Sequence, residues 1–273
     1  MPQVVPCTCN GAAELADVSR RRERRREAGD PARTPGTGAP SPARVAALDT
    51  LRGVAILAMI GYHFSFDLRH FGLTRWDFYG DPFWLNARTL ILSSFLLIAG
   101  VSLVLADRNH LPPARFWRHV GTIGACALLV SAASYAVFPA SWIWFGVLHA
   151  IAVSLLLARP LVCRPVLALV IGAAVIAAGN LYTNALFDTR AWGWIGFMTA
   201  KPRTEDYVPL FPWTGVLLLG IATGHALIRT DFRGIGWAAT LPRWIAWLGR
   251  HSLAAYMLHQ PLLLGFLYLV TSR

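Results

Sequence analysis

The stretch Arg44-Val-Ala-Ala-Leu-Asp-Thr-Leu-Arg-Gly-Val-Ala-Ile-Leu-Ala-Met-Ile-Gly-Tyr-His-Phe-Ser-Phe-Asp67 decides the fold. A helix needs about 20 apolar residues to cross the hydrocarbon core, and this run is long enough, yet it carries Asp49, Arg52, His63 and Asp67. At about 100° per residue the four fall within one arc of about 60°, and Arg52 and His63 stand about 16 Å apart along the axis. Ionisable groups inside a span are costly and face a cavity or a partner. The polar stripe therefore marks an interior surface.

Working outward, further apolar runs follow at 84–106, 116–138, 142–158, 162–181, 210–228 and 252–270, while 235–248 is apolar but broken by Pro242 and reads as interfacial. The expectation is an all-α, polytopic transmembrane helix bundle of about seven spans. Composition agrees. Of 273 residues 55% are hydrophobic and only 14% charged, with mean hydropathy +0.48, whereas a soluble domain carries about 25% charged residues.

The net charge of +11 divides by location. Only Lys201 is a lysine, and six arginines form one run, Arg20 to Arg22 and Arg24 to Arg26. The rest punctuate the apolar runs, with Arg108, Arg115, Arg118, Arg159, Arg164, Arg229, Arg233, Arg243 and Arg250 on one side. The other side holds Arg69, Arg75, Arg88, Arg190, Lys201 and Arg203, diluted by Asp67, Asp77, Asp81, Asp188, Glu205 and Asp206. Positive charge concentrates in cytoplasmic loops, so the bias predicts the N-terminus inside, with Trp142, Trp144, Trp192, Trp194 and Trp213 as an outer aromatic belt. Topology thus accounts for the basic balance, and nucleic acid is not an expected partner. Residues 1–43, rich in Arg, Pro and Gly, read as a disordered cytoplasmic tail, and 44–273 as the membrane domain. Neither a disulfide framework nor a metal spacing is visible in Cys7, Cys9, Cys126 and Cys163. The near-absence of lysine suggests a GC-rich bacterial genome, hence a multi-pass protein of the bacterial cytoplasmic (inner) membrane.

Chemistry enters through spacing. Asp67 follows His63 by one helical turn, where a carboxylate orients an imidazole and raises its basicity, the arrangement a general base needs. Arg52 lies close enough to the inner boundary to snorkel and is also suited to phosphate. His259 sits well inside the last run, beside Pro261, and suggests a cavity there. His149 either lines that cavity or packs. Asp206, Tyr207 and Trp213 stand at the outer mouth of the 210–228 run, suited to a sugar or, for Trp213, to an interfacial anchor.

Leu48-Asp-Thr-Leu-Arg52-Gly, with His63 after ten intervening residues, resembles the first-helix signature of membrane-bound acyltransferases, both the acyltransferase-3 family and the heparan-α-glucosaminide N-acetyltransferase catalytic-domain family. Phe95-Leu-Leu-Ile-Ala-Gly100-Val-Ser, Phe145-Gly146-Val-Leu-His149-Ala-Ile-Ala-Val and Asp206-Tyr-Val-Pro-Leu-Phe-Pro-Trp213-Thr-Gly resemble the second family in the same order, the last of them its bacterial branch. Leu248-Gly-Arg-His-Ser252-Leu-Ala-Ala-Tyr256-Met-Leu-His259-Gln-Pro261 is similar to the last-helix pattern of acyltransferase-3 proteins. The resemblance implies transfer of an acyl group, acetyl above others, from cytoplasmic acyl-CoA to a hydroxyl or amine of an extracytoplasmic glycan or glycolipid.

On that reading His63 and Asp67 are catalytic, Arg52 and Asp49 hold acyl-CoA, and His70, His149, Asp206, Tyr207, Trp213 and His259 meet the acceptor. Heparan-acting members have Asn where His63 aligns and their histidine in the following loop, where this chain offers His70 at a different position. A proton-coupled small-solute transporter using the same intramembrane polar residues is the alternative from another class.

Overall fold

The computed structural model describes residues 42–202, 204 and 206–271. Apart from its last two residues, the tail expected over 1–43 lies outside the described residues, as do Arg203 and Glu205 of the charge bias. Eight main helices are described: α1 (Pro42–His70), α2 (Pro82–Arg108), α3 (Pro113–Val137), α4 (Val147–Ala158), α5 (Pro165–Leu181), α6 (Leu210–Arg229), α7 (Arg243–Arg250) and α8 (Ser252–Thr271). No strand occurs among the described residues. The chain is a multi-pass bundle of transmembrane helices: α1, α2, α3, α6 and α8 are each long and apolar enough to cross a membrane.

Local chemistry sets the boundaries. Pro82, Pro113 and Pro165 each open a helix in its first turn, where a missing N–H costs nothing and φ is already helical. Asp81 caps α2 by accepting from the Phe83 amide at 2.8 Å. Phe211 is extended, with φ −93° and ψ 129°, so regular α6 geometry begins at Pro212.

Two segments differ from the sequence expectation in length. The run expected from 142 becomes helical only at Val147, because Gly146 is extended and the Asp206 carboxylate accepts the Val147 amide at 2.8 Å. The resulting helix of 12 residues is about 18 Å long, and α5 has 17 residues. Both pack beside α6. The interfacial stretch resolves into a 3-10 segment, Arg233–Thr240, and α7, which pack against α1. Trp237, Trp244 and Trp247 are exposed there, as expected at a membrane boundary.

Helix α6 is the centre of the bundle, packing on α2, α4 and α5, while α1 packs on α2, α7 and α8. Without a hydrophobic force between helices in lipid, small residues and hydrogen bonds hold such contacts. Gly100 of α2 and Gly220 of α6 bring two backbones together, and a Cβ on Gly100 would stand 2.9 Å from the Gly220 Cα. Ser154 of α4 and Thr214 of α6 share a buried hydroxyl hydrogen bond of 2.8 Å. At the other end of α1, Gly53 and Gly249 admit α7 so closely that a Cβ on either would overlap the Ile245 or Asp49 carbonyl.

Candidate active site

The polar stripe of α1 opens onto one cavity of about 2240 Å³ that runs through the bundle. Arg52, His63, Asp67 and His70 line it from α1, with Arg88 and Ser102 from α2, His119 from α3, and Tyr256, His259 and Gln260 from α8. The walls are mostly apolar, so these groups are the fixed polar points in a low-dielectric passage.

At one end, Arg52 donates through Nη1 to Asp49 Oδ1 at 3.0 Å and through Nη2 to Ser102 Oγ at 2.8 Å. The Ser102 hydroxyl in turn donates to the Ile98 carbonyl at 2.6 Å. Asp49 does not itself line the cavity; it steers the guanidinium that does. Arg115, Arg159 and Arg250 line the cavity too, and Arg159 stacks 4.1 Å above the Phe116 ring. A cation over an aromatic face keeps its charge while its orientation is fixed.

At the other end, His63 meets His259 edge to face, with ring centroids 4.9 Å apart. His63 makes no hydrogen bond among the described residues. Asp67, 2% exposed, accepts from Gln260 Nε2 at 2.8 Å, tying α1 to α8 one residue after His259. Tyr62, which also lines the cavity, meets Phe78, Trp84 and His63 edge to face.

The segment before α6 closes this end. Asp206 accepts from Val147 N at 2.8 Å and from the Tyr256 hydroxyl at 3.4 Å. Burial pushes the Asp206 carboxyl above the ordinary range, opposed chiefly by the Val147 amide and the Arg88 charge. Tyr207 donates to the Gly193 carbonyl at 2.6 Å, and its own carbonyl accepts from Arg88 at 3.0 Å. Burial raises the Tyr207 phenol, and it lowers the Lys201 ammonium, which Arg88 lowers further. The loop is held by Asp188, which accepts from both the amide and the hydroxyl of Thr199.

Of the residues singled out in the sequence, His63, Asp67, Arg52, His70, Asp206, Tyr207 and His259 line the cavity, and Asp49 stands directly behind Arg52. Two stand apart. His149 Nδ1 accepts from the Gly146 amide at 3.3 Å, leaving the Nε2 hydrogen for Ser131 Oγ at 3.3 Å, so its ring pins the start of α4. Trp213 packs against the main apolar core. Arg88, Ser102, Tyr256 and Gln260 were not singled out. Gln260 and Tyr256 carried a signal all the same, standing beside and one turn before His259 in the last-helix string.

A polytopic helix bundle with a cationic end and a paired-histidine end joined by one largely apolar cavity defines a multi-pass membrane protein with an internal site. Residues 44–261 match the sequence model described as heparan-alpha-glucosaminide N-acetyltransferase, catalytic, and the chain belongs to that family. No curated protein and no solved structure matches it. Membership gives the chain a membrane acetyltransferase-type role and makes it a transferase. It lends nothing to solute transport.

Proposed function

We propose that the protein transfers an acetyl group from acetyl-CoA, bound at the Arg52 end, to a hydroxyl or amine of a glycan or glycolipid presented at the His63 end. The observation that carries this reading is the continuity of the cavity between the two ends. The span from Arg52 to His63, about 16 Å along α1, suits an extended pantetheine arm. Acetyltransferases of this family use acetyl-CoA as co-substrate.

The donor's phosphates lie against Arg52, with Arg115, Arg159 and Arg250 at the same mouth, because guanidinium forks match phosphate oxygens. Asp49 and Ser102 fix the Arg52 plane and so preset the register of the thioester. At the far end the acceptor sits among His63, Asp206, Tyr207 and His70. His63 takes the acceptor proton as its oxygen or nitrogen attacks the thioester carbonyl. The new C–O or C–N bond forms, the C–S bond breaks, and the proton passes from His63 to the departing thiolate, leaving CoA and the acetylated acceptor. Asp67 holds Gln260, and through it α8, in register with α1. The positive bias of the Arg52 end supports a cytoplasmic donor end and a His63 end on the far side.

The test uses full-length protein in nanodiscs with radiolabelled acetyl-CoA and methyl α-glucosaminide as acceptor probe. Acetyl-CoA binding that weakens in Arg52→Ala, with transfer or hydrolysis lost in His63→Ala while binding persists, is the expected pattern. Well-folded wild-type protein with no affinity for acetyl-CoA would overturn the reading.

A further inference from the structure

His259 is 8% exposed and lies on α8 against α1. Its Nδ1 stands 2.6 Å from the Tyr256 carbonyl oxygen. A carbonyl only accepts, so Nδ1 must carry the hydrogen, and in the neutral ring Nε2 is then a bare lone pair. That Nε2 is buried and has no hydrogen-bond partner among the described residues. Leaving a buried acceptor unmatched is costly, and such an atom beside a reactive group calls for a functional account. The group beside it is His63, at a ring separation of 4.9 Å.

From this geometry we infer that His259 is the positioning partner of His63. Its Nε2 accepts the second N–H of His63 once His63 has taken a proton from the acceptor. The inference rests on the transfer reading above. The proposed cycle starts from a neutral His63 that holds one hydrogen. When the acceptor X–H bond breaks, its proton joins the free nitrogen of His63, which becomes an imidazolium. The imidazolium's other N–H then donates to His259 Nε2. When the thiolate leaves, it takes a proton from His63, and both rings return to their starting state with no net gain or loss of hydrogen.

A lone pair held ready by a backbone carbonyl does for His63 what a carboxylate does in other dyads, without adding a second charge to a low-dielectric site. Its orientation is secured twice, by the Tyr256 carbonyl on its own helix and by the Gln260 to Asp67 bond that sets α8 against α1. Pro261, two residues on, has no amide hydrogen for the Met257 carbonyl, a local break in the helix ladder beside His259.

Two measurements decide the inference. In full-length protein labelled with ¹⁵N-histidine in nanodiscs, the His259 resonance, assigned by comparison with His259→Gln, is expected to show a protonated Nδ1 and an unprotonated Nε2. A hydrogen on Nε2 overturns the proposal whether or not the protein transfers acetyl. In turnover of acetyl-CoA with methyl α-glucosaminide, His259→Ala is expected to lower kcat about a hundredfold, as loss of an acid–base contribution does. KM for acetyl-CoA should change less than about threefold. His259→Gln, whose amide oxygen supplies an acceptor, should recover at least about a tenth of the wild-type kcat. Unchanged kcat in His259→Ala, alongside loss in His63→Ala, overturns the partnership and leaves the transfer reading intact. A wild type that binds no acetyl-CoA removes the transfer reading, and the nitrogen measurement then still judges the resting geometry.

Discussion

Arg52 reaches across the α1–α2 interface to Ser102, Nη2 to Oγ at 2.8 Å, while Asp49 on its own helix holds Nη1 at 3.0 Å. The guanidinium is thus gripped from two directions with one edge turned to the cavity. An ammonium offers no planar fork. Arg52→Lys is therefore expected to weaken acetyl-CoA binding about tenfold or more, since a hydrogen bond to a charged group contributes about 1.5–3 kcal/mol; Ser102→Ala, which leaves the guanidinium fork and its Asp49 contact in place, should weaken it less. Calorimetric titration of the solubilised protein measures both. Equal affinity in Arg52→Lys and wild type would remove Arg52 from the donor site.

Gly249 touches the Asp49 carbonyl from α7, and a Cβ there would also stand 2.8 Å from the Gly53 amide nitrogen. Backbone on both sides cannot yield as a flexible side chain can. Gly249→Ala should cost at least about 1–3 kcal/mol by overpacking, visible as a lower thermal midpoint in detergent. Because the same contact sets the Asp49 end of α1, donor affinity should fall with it.

Asp206 caps α4 and faces the cavity. Its carboxyl is raised by burial, so the folded state binds that proton more tightly than the unfolded chain. The associated stability is present at low pH and declines as pH rises through the raised value. Asp206→Asn keeps an oxygen for the Val147 amide and removes the buried charge. It should hold or raise the thermal midpoint at neutral pH and flatten its decline with pH, while KM for the acceptor probe rises.

Asp188 carries the opposite sign. The Thr199 hydroxyl and then its amide hold the Asp188 carboxyl below the ordinary range, so the latch is present above the ordinary aspartate value and is lost as pH falls through the lowered one. Protection of the Thr199 amide from hydrogen exchange should follow that course. In Asp188→Ala, which has no side-chain acceptor, protection should be low and insensitive to pH across the same range.

Much of this was legible in the amino-acid order, because helix period and hydropathy act locally. The apolar runs emerged as helices, and the stripe on α1 opens onto the interior as the cost of buried charge demands. What escaped depends on contacts between distant segments. The late start of α4 is set by Asp206, 59 residues on. Gln260 reaches Asp67 across 193 residues, so a reading based on the one-turn spacing of His63 and Asp67 had no access to the partner that α8 supplies. His149 was open to lining the cavity or packing, and its two nitrogens are occupied by Ser131 and by the turn that begins its own helix. Arg88 was counted only as a charge of the outer side, whereas from α2 it reaches across 119 residues to the Tyr207 carbonyl.

In the proposed reaction one cavity carries an acetyl group from a donor on one face of the bilayer to an acceptor on the other. The most direct measurement places radiolabelled acetyl-CoA outside proteoliposomes and methyl α-glucosaminide inside them. Wild-type protein is predicted to accumulate acetylated sugar in the lumen, and His63→Ala to accumulate none. Labelled sugar formed only when donor and acceptor share a compartment would contradict transfer across the membrane.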